Sequence, residues 1–525
     1  MKSLYIKRLL ETAVRYGDKT AVVDKGGGRS TTYAQMLELA KKVTAYLKRK
    51  EVALHSNVCI RMPDSMEYMA AELGVWLAGC AAVPIGMNSP EERVRAIELD
   101  CESALLIDGD AMREMKEISE DTTIPESTDD ALIVYTSGST GNPKGILFTF
   151  APFEANYPHT FGLAAPSDDQ VFGMTAPFCF IAIVLLYDML CAGATVHIYD
   201  ADIRADAEAL ADYILAHGIT TSFISPAVLL HFRNRSPKLR AVVSGSEKMT
   251  TQRSKDGYIL YNLYGLTETF CAVSCHEVGT EPAEQTPIGS CNPGIEFRID
   301  EDGELCLKGT FCKAYWKDPE LTRKLYDGGW LHTGDIVSQG SDGLLYYRNR
   351  KDWMVKVNGQ RVEPGEVEAA IRKLPDVEQV VVKGFDNGRG SLYLCAFYIA
   401  GREIGRDEFV ASLAKLLPEY MRPEVYVRMD SLPLTANGKV DRRGLCAPES
   451  PRTKRGEPKT ERESVLLDIV RKVMRTEELG VTDKLKDFGM DSVAAVEIVN
   501  QAIDKGIVIR MKDMMIRNTV RELAN

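Results

Sequence analysis

Through the first 350 residues or so, segments with the 3.6-residue apolar period of a helix alternate with short apolar runs of strand character. Tyr33 to Lys50 is amphipathic and helix-like, whereas Ala81 to Ile85 and Thr195 to Tyr199 look like buried strands. This alternation predicts α/β layering with largely parallel sheets. At 525 residues the chain exceeds what a single core supports, so three or four units are expected.

The pattern changes around Arg348 to Asp352, where a charged stretch leads into a smaller α+β unit. Its signals are a helix at Gly365 to Lys373 and strands at Gln379 to Val382 and Leu392 to Ile399. Cys446 to Lys459 carries three prolines among charged and small residues, the composition of a flexible linker. After it, Thr460 and Glu463 fit a capping box. Val465, Leu466, Ile469, Val470 and Val473 then form one helical face, as expected of a small helical bundle. The expected division is 1–351, 352–447, a linker at 448–459, and 460–525.

A formal charge of -11 argues against general affinity for nucleic acid or anionic membrane, since like charges repel. The longest apolar run, Phe178 to Tyr187, is roughly half the length that crosses a bilayer, and Asp188 ends it. The amino terminus has charges scattered among its apolar residues, unlike a signal peptide. A cytoplasmic protein without nucleic-acid or membrane partners is expected. The 12 cysteines are dispersed without a CxxC pair and predict reduced core residues rather than disulfides or a zinc knuckle.

The apolar run Ala131 to Val134 leads into Tyr135-Thr136-Ser137-Gly138-Ser139-Thr140-Gly141-Asn142-Pro143-Lys144-Gly145. Glycines at 138, 141 and 145 let the backbone turn its amides inward. The hydroxyls of Thr136, Ser137, Ser139 and Thr140 add donors, and Lys144 adds a point charge. A loop of this composition after a strand suits phosphate oxygens. It differs from the common GxxxxGK[ST] loop, because Pro143 stands in the second glycine's place and Gly145 where a magnesium-binding hydroxyl would be. Alone, it is also compatible with a solvated surface loop.

The loop resembles that of the adenylate-forming superfamily, which includes acyl-CoA synthetases, luciferases and nonribosomal peptide synthetase adenylation domains. Four further stretches carry the resemblance in the family's order. In Tyr264-Gly265-Leu266-Thr267-Glu268-Thr269, it implies that Tyr264 packs on adenine, Thr267 contacts the α-phosphate and Glu268 helps bind Mg2+. In Gly329 to Asp335, it implies that Asp335 accepts from the ribose hydroxyls. In Tyr347 to Asp352 and Lys356 to Glu363, Arg350 matches a ribose-contacting arginine and Asp352 a hinge; Asn349 departs from the usual glycine. In Pro433 to Asp441, Lys439 matches the lysine that bridges the substrate carboxylate and the α-phosphate during acyl-adenylate formation.

The tail segment Gly489-Met490-Asp491-Ser492 precedes Val493, Val496, Val499 and Ile503 at helical spacing. Read alone, Asp491 or Ser492 is an ordinary helix cap. The segment is similar to the 4'-phosphopantetheine attachment site of carrier proteins, with Ser492 as the attachment point. Together these resemblances imply a large α/β adenylation core, a smaller α+β lid and an all-α helical-bundle carrier. ATP would activate a carboxylic acid as acyl-AMP, with Lys144, Thr267 and Lys439 stabilising charge. Rotation at Asp352 would then let the carrier's own thiol take the acyl group. A phosphopantetheinyl transferase and a downstream condensation or ketosynthase enzyme are implied partners in nonribosomal peptide or polyketide assembly.

Amino-acid-activating relatives hold the substrate ammonium with an aspartate in a Phe-Asp pair. Counting back from Leu190-Cys191-Ala192-Gly193 puts Cys179-Phe180 there, and an uncompensated buried ammonium is costly. The expected substrate is therefore not a standard α-amino acid. Cys179, Phe180, Ile181, Val184, Gly245, Leu263, Cys271 and Ala272 are the expected pocket, suited to an aryl or alkyl acid. Two other readings stay open at this point: an acyl- or aryl-CoA ligase with a vestigial tail, and a non-catalytic nucleotide-binding or docking module.

Overall fold

The computed structural model describes residues 3–524 except 120–128, 139–141, 160–165, 248, 250–256, 280–285, 358, 387–391, 434–439, 449–455, 475, 477–478, 484, 489, 491, 511–512 and 515–516. Among the described residues, two sheets dominate the first 350. One holds nine strands in the spatial order 290–291, 274–277, 259–264, 241–245, 221–223, 171–174, 195–198, 20–24 and 29–32. Its centre, from Ile259–Tyr264 through Ala241–Gly245, Thr221–Phe223, Val171–Met174 and Thr195–Ile198 to Thr20–Asp24, is parallel. The second holds six strands in the order 314–315, 144–149, 130–136, 81–84, 57–60 and 103–107. Alternating helix and strand signals thus became layered sheets, as expected of crossover connections.

Helix Tyr33–Arg49 illustrates the local logic. Thr32 and Gln35 form a reciprocal capping box, and Met36, Ala40, Val43 and Leu47 lie buried on its inner face. The core beneath is continuous from Tyr5 to Leu345. Trp76 sits in it, its ring against Phe150, Phe153 and Tyr187 and its indole N–H donating to the Ala131 carbonyl at 2.7 Å. That bond anchors the strand Asp130–Thr136, which delivers the phosphate-loop sequence.

A smaller sheet follows, in the order Glu296–Ile299, Glu304–Lys308, Trp330–Gln339 and Tyr326–Asp327, with Leu345–Arg350 pairing Trp330–Gln339. Beyond Asp352 come the hairpin Val355–Val357/Gln360–Val362, the helix Pro364–Ile371 and a sheet of Val377–Asp386, Leu392–Ala400 and Val425–Arg428. These elements bury their own apolar clusters. The last unit packs Glu461–Met474, Ser492–Asp504 and Val520–Ala524 around Leu466, Val470, Ile498 and Leu523.

Two local expectations shift. Glu463 accepts from the Lys459 amide rather than that of Thr460, so the capping box is only half formed. Ile503 is 51% exposed, because its helix turns that position away from the cluster. Among the described residues, no helix is long and apolar enough to cross a membrane.

Candidate active site

A cavity of about 490 Å3 opens at the carboxyl ends of the parallel strands. Thr175 to Pro177 follow Val171–Met174, Ser225 follows Thr221–Phe223, and Gly245 to Glu247 and Tyr264 to Thr267 close the next two strands; all line it. Loops diverge at such strand ends, which makes the crevice the usual ligand site of an open α/β sheet.

At one end the polar groups form a chain. The Tyr264 hydroxyl donates to Asp335 at 2.6 Å, and Arg350 Nη1 donates to the other Asp335 oxygen at 2.7 Å. Arg350 also forks onto Asp352, with Nε and Nη2 each at 2.7 Å. The candidate ribose and hinge residues therefore share one network that runs from buried Tyr264 and Asp335 out to exposed Asp352.

Next to it lies a charged cluster. Glu268 is buried; its Oε1 accepts from the Tyr315 hydroxyl at 2.6 Å and Arg361 at 2.7 Å, while Lys144 stands 4.0 Å away. Burial alone would raise the Glu268 carboxyl, but Arg361 and Lys144 outweigh it and hold it at about 2. Burial, with Arg361 adding to it, pushes Lys144 down to about 8. Among the described residues, the buried oxygens Glu268 Oε2 and Thr136 Oγ1 have no hydrogen-bond partner. An orphaned carboxylate oxygen fits a hard divalent cation, and an orphaned hydroxyl fits a phosphate oxygen.

The small unit reaches into the phosphate loop. Ser137 donates to the Arg361 carbonyl at 2.9 Å and accepts from the Glu363 amide at 3.0 Å. The Gly138 amide donates to Glu366 Oε2 at 2.8 Å, and Glu366 in turn pairs with Arg93. A Cβ at Gly138 would sit 2.0 Å from the Asn142 carbonyl oxygen, so only glycine fits there.

The other end of the cavity is apolar, walled by Ala176, Phe180, Ile181, Phe223, Val228, Leu263, Cys271 and Ala272. Gly265 permits this: a Cβ there would lie 1.5 Å from the Cys271 carbonyl oxygen. The loop folds back with Phe270 and Cys271 at φ of 61° and 77°, bringing Cys271 and Ala272 to the wall. Glu247 also lines the cavity, and its carboxylate accepts from the Gly359 amide. Tyr420 of the small unit and Val496 of the last one complete the lining. A neighbouring cavity of about 860 Å3 shares Tyr135, Phe180, Arg204, Gln360 and Tyr420 with the first and extends to Met490, Ala495 and Met514.

Residues 9–316 match the family model "AMP-binding enzyme", residues 366–439 its C-terminal domain, and residues 464–525 the phosphopantetheine attachment site. The chain belongs to the AMP-binding enzyme family. Its domain order is that of an adenylating, AMP-forming ligase followed by a carrier. This AMP-binding enzyme is 31% identical over 93% of its length to bacitracin synthase 1 of Bacillus licheniformis, of which it spans 10%. It is 27% identical over 98% of its length to tyrocidine synthase 1 of Brevibacillus parabrevis, of which it spans 52%. Its fold is similar to a nonribosomal peptide synthetase protein with adenylation and PCP domains, solved with a vinylsulfonamide inhibitor. There the TM-score is 0.81 at 21% identity, over 99% of this chain and 96% of that one.

Against this frame, most residues singled out by sequence in the AMP-binding enzyme converge. Thr136, Ser137, Tyr264 and Thr267 line the cavity; Gly138, Lys144, Glu268, Asp335, Arg350 and Asp352 stand in the networks beside it. Ser139, Thr140, Gly141 and Lys439 lie outside the described residues, and Ser492 opens the helix Ser492–Asp504. Two pocket expectations need correction. Cys179 faces the larger neighbouring cavity beside Gly86, and Val184 is buried in the core. The cause is the short turn Ile181–Ile183, after which the helix Val184–Cys191 rotates Val184 inward. Sequence reading missed Phe223 and Val228, single apolar residues at strand and helix ends without a motif. Arg93 and Glu366 were also missed; only their pairing across 273 residues marks them.

Proposed function

We propose that the enzyme activates an apolar carboxylic acid with ATP, releasing pyrophosphate, and passes the acyl group from acyl-AMP to its own carrier, as a loading module of nonribosomal peptide or polyketide assembly. The observation that carries this reading is the composite wall of one cavity, to which core, small unit and carrier helix all contribute. A tethered acceptor works at high effective concentration, so it needs little affinity of its own.

Tyr264, Asp335 and Arg350 are suited to adenosine, and Thr136, Ser137, Gly138 and Lys144 to the phosphates. Ser139, Thr140 and Gly141 share that role by resemblance. Glu268, with its unpartnered oxygen, is the residue to hold Mg2+, which when bound would offset phosphate charge. Thr267 and Lys439 would steady the α-phosphate as the carboxylate attacks it. The thiol that accepts the acyl group would come from a phosphopantetheine arm on Ser492, added by a phosphopantetheinyl transferase. A condensation or ketosynthase enzyme would consume the product.

The observed arrangement supports a two-step cycle. Arg361 already compensates the Glu268 charge through Oε1, beside the Oε2 that a cation would take, and Glu366 takes the Gly138 amide that a phosphate oxygen would use. The small unit in this position and bound Mg2+-pyrophosphate compete for the same groups, so this is the arrangement for the second step. Asp352 is the pivot from which the unit turns to bring in Lys439 for the first.

Among the described residues, the apolar wall formed by Phe180, Ile181, Phe223, Val228, Leu263 and Ala272 carries no carboxylate; Glu247, which also lines the cavity, accepts from the Gly359 amide. This supports an aryl or alkyl acid. Pyrophosphate exchange across amino, aryl and alkyl acids tests the reading. Exchange with aryl or alkyl acids and none with α-amino acids is expected; the reverse order would overturn the substrate class. Absence of exchange with every acid would favour a docking module, and acyl label on free CoA alone would favour a CoA ligase.

A further inference from the structure

On the face of the small sheet opposite Asp335 lies a cluster that the nucleotide chemistry does not use. Along Trp330–Gln339 burial alternates, so Leu331, Thr333 and Asp335 face inward and His332 points to the other side. Cys306 is the cross-strand partner of His332, Glu304 lies two residues before it on the same strand, and Asp300 directly follows the preceding strand, Glu296–Ile299. One donor atom from each of these four residues lies within 4.8 Å of all the others. Cys306 Sγ is 3.3 Å from Asp300 Oδ2 and 3.4 Å from His332 Nδ1, which is 3.4 Å from Glu304 Oε2.

Those three spacings match edges of a coordination tetrahedron, and the remaining ones lie within 4.8 Å. Zinc bonds of about 2.0–2.3 Å at tetrahedral angles put neighbouring donors about 3.3–3.6 Å apart. A thiol, an imidazole and carboxylates together suit a borderline ion rather than Mg2+ or Ca2+, which prefer oxygen alone. Among the described residues, His332 Nε2 is buried without a hydrogen-bond partner. Cys306 and Glu304 are buried, on a strand whose pairing with Trp330–Gln339 shifts register between them.

We infer that Asp300, Glu304, Cys306 and His332 form a binding site for a single Zn2+-class ion, coupled to the hinge through Lys351. Binding breaks the Cys306 S–H bond, forms a sulfur–metal bond and releases the proton to solvent. At present Lys351 Nζ lies 3.1 Å from Glu304 Oε2, and it also pairs with Asp302; Arg298 pairs with Asp300 at 3.0 Å. The ion displaces Lys351 from Glu304, leaving it on Asp302. Glu304 Oε1 meanwhile holds the Gly334 amide at 2.8 Å, and Lys351 directly precedes Asp352. Occupancy therefore acts on the segment about which the small unit turns.

The test uses the full chain, stripped with chelator and titrated with Co2+ as a spectroscopic probe. One equivalent is expected to give intense visible bands of tetrahedral cobalt and a near-ultraviolet thiolate band. Cys306→Ser should abolish the thiolate band, His332→Gln should weaken binding at least about tenfold, and Lys351→Met, which removes the competing cation, should tighten it. A thiolate band that survives Cys306→Ser, or no tetrahedral spectrum at one equivalent, would overturn the assignment. If Cys306→Ser fails to fold, unchanged affinity in both His332→Gln and Lys351→Met would do so equally.

Discussion

The two ends of the central cavity are built on different principles. At the end proposed for the nucleotide the contacts join specific atoms: Tyr264 to Asp335, Arg350 to Asp335 and Asp352, Arg361 to Glu268. At the apolar end, proposed for the acyl group, Phe180, Ile181, Phe223, Val228 and Leu263 exclude water and define a shape. Charge and hydrogen bonding admit few substitutes, because a buried polar group left alone is costly. Apolar walls tolerate exchange of similar volumes. One end can therefore stay fixed while the other is retuned to a different acid.

This contrast yields graded predictions. The largest effect belongs to the carrier: Ser492→Ala should abolish self-loading while pyrophosphate exchange persists, and loss of both would contradict the separation of steps. Lys439→Ala should lower adenylate formation by about 10²–10³-fold yet leave transfer from supplied acyl-AMP nearly unchanged. Arg361→Met should do the opposite. Removing the nearest cation from Glu268 in the docked arrangement should slow transfer by roughly 10²-fold with little change in exchange; equal loss in both steps would show that Arg361 does not alternate with a cation.

At the apolar end, Phe180→Ala should alter the preference between a small and a large acid by about 10–200-fold, without affecting the KM for ATP. The smallest effect concerns protons. Lys144 has a pKa of about 8 here, and a bound phosphate raises it towards its ordinary value, so nucleotide binding takes up a proton. Calorimetry at pH 8 in buffers of different ionisation enthalpy should report uptake of about half a proton, with affinity falling as pH rises above that point. No uptake would contradict the burial assigned to Lys144.

The same contrast explains what the sequence revealed. Residues proposed to serve the nucleotide lie in short stretches of glycine, hydroxyl and charge whose spacing can be read directly, such as Thr136 to Lys144 and Tyr264 to Glu268. The alternating pattern likewise announced the parallel sheets. The acyl wall was only partly legible, because Phe223 and Val228 are ordinary core residues until folding brings two strand ends together. Val184 was misplaced since a three-residue turn decides which way its helix faces. The Arg93–Glu366 pair joins two helices far apart in sequence and the Cys306–His332 cluster depends on strand register, neither of which local composition encodes.

The central claim is that one chain both activates an acid and captures it. The direct measurement is the mass of the carboxy-terminal fragment, released by proteolysis after the arm-bearing protein has been incubated with Mg-ATP and an acid that supports exchange. The account predicts a gain equal to the acyl group, located on the peptide containing Ser492 and absent without ATP. Robust exchange with no acyl mass on that fragment would contradict it.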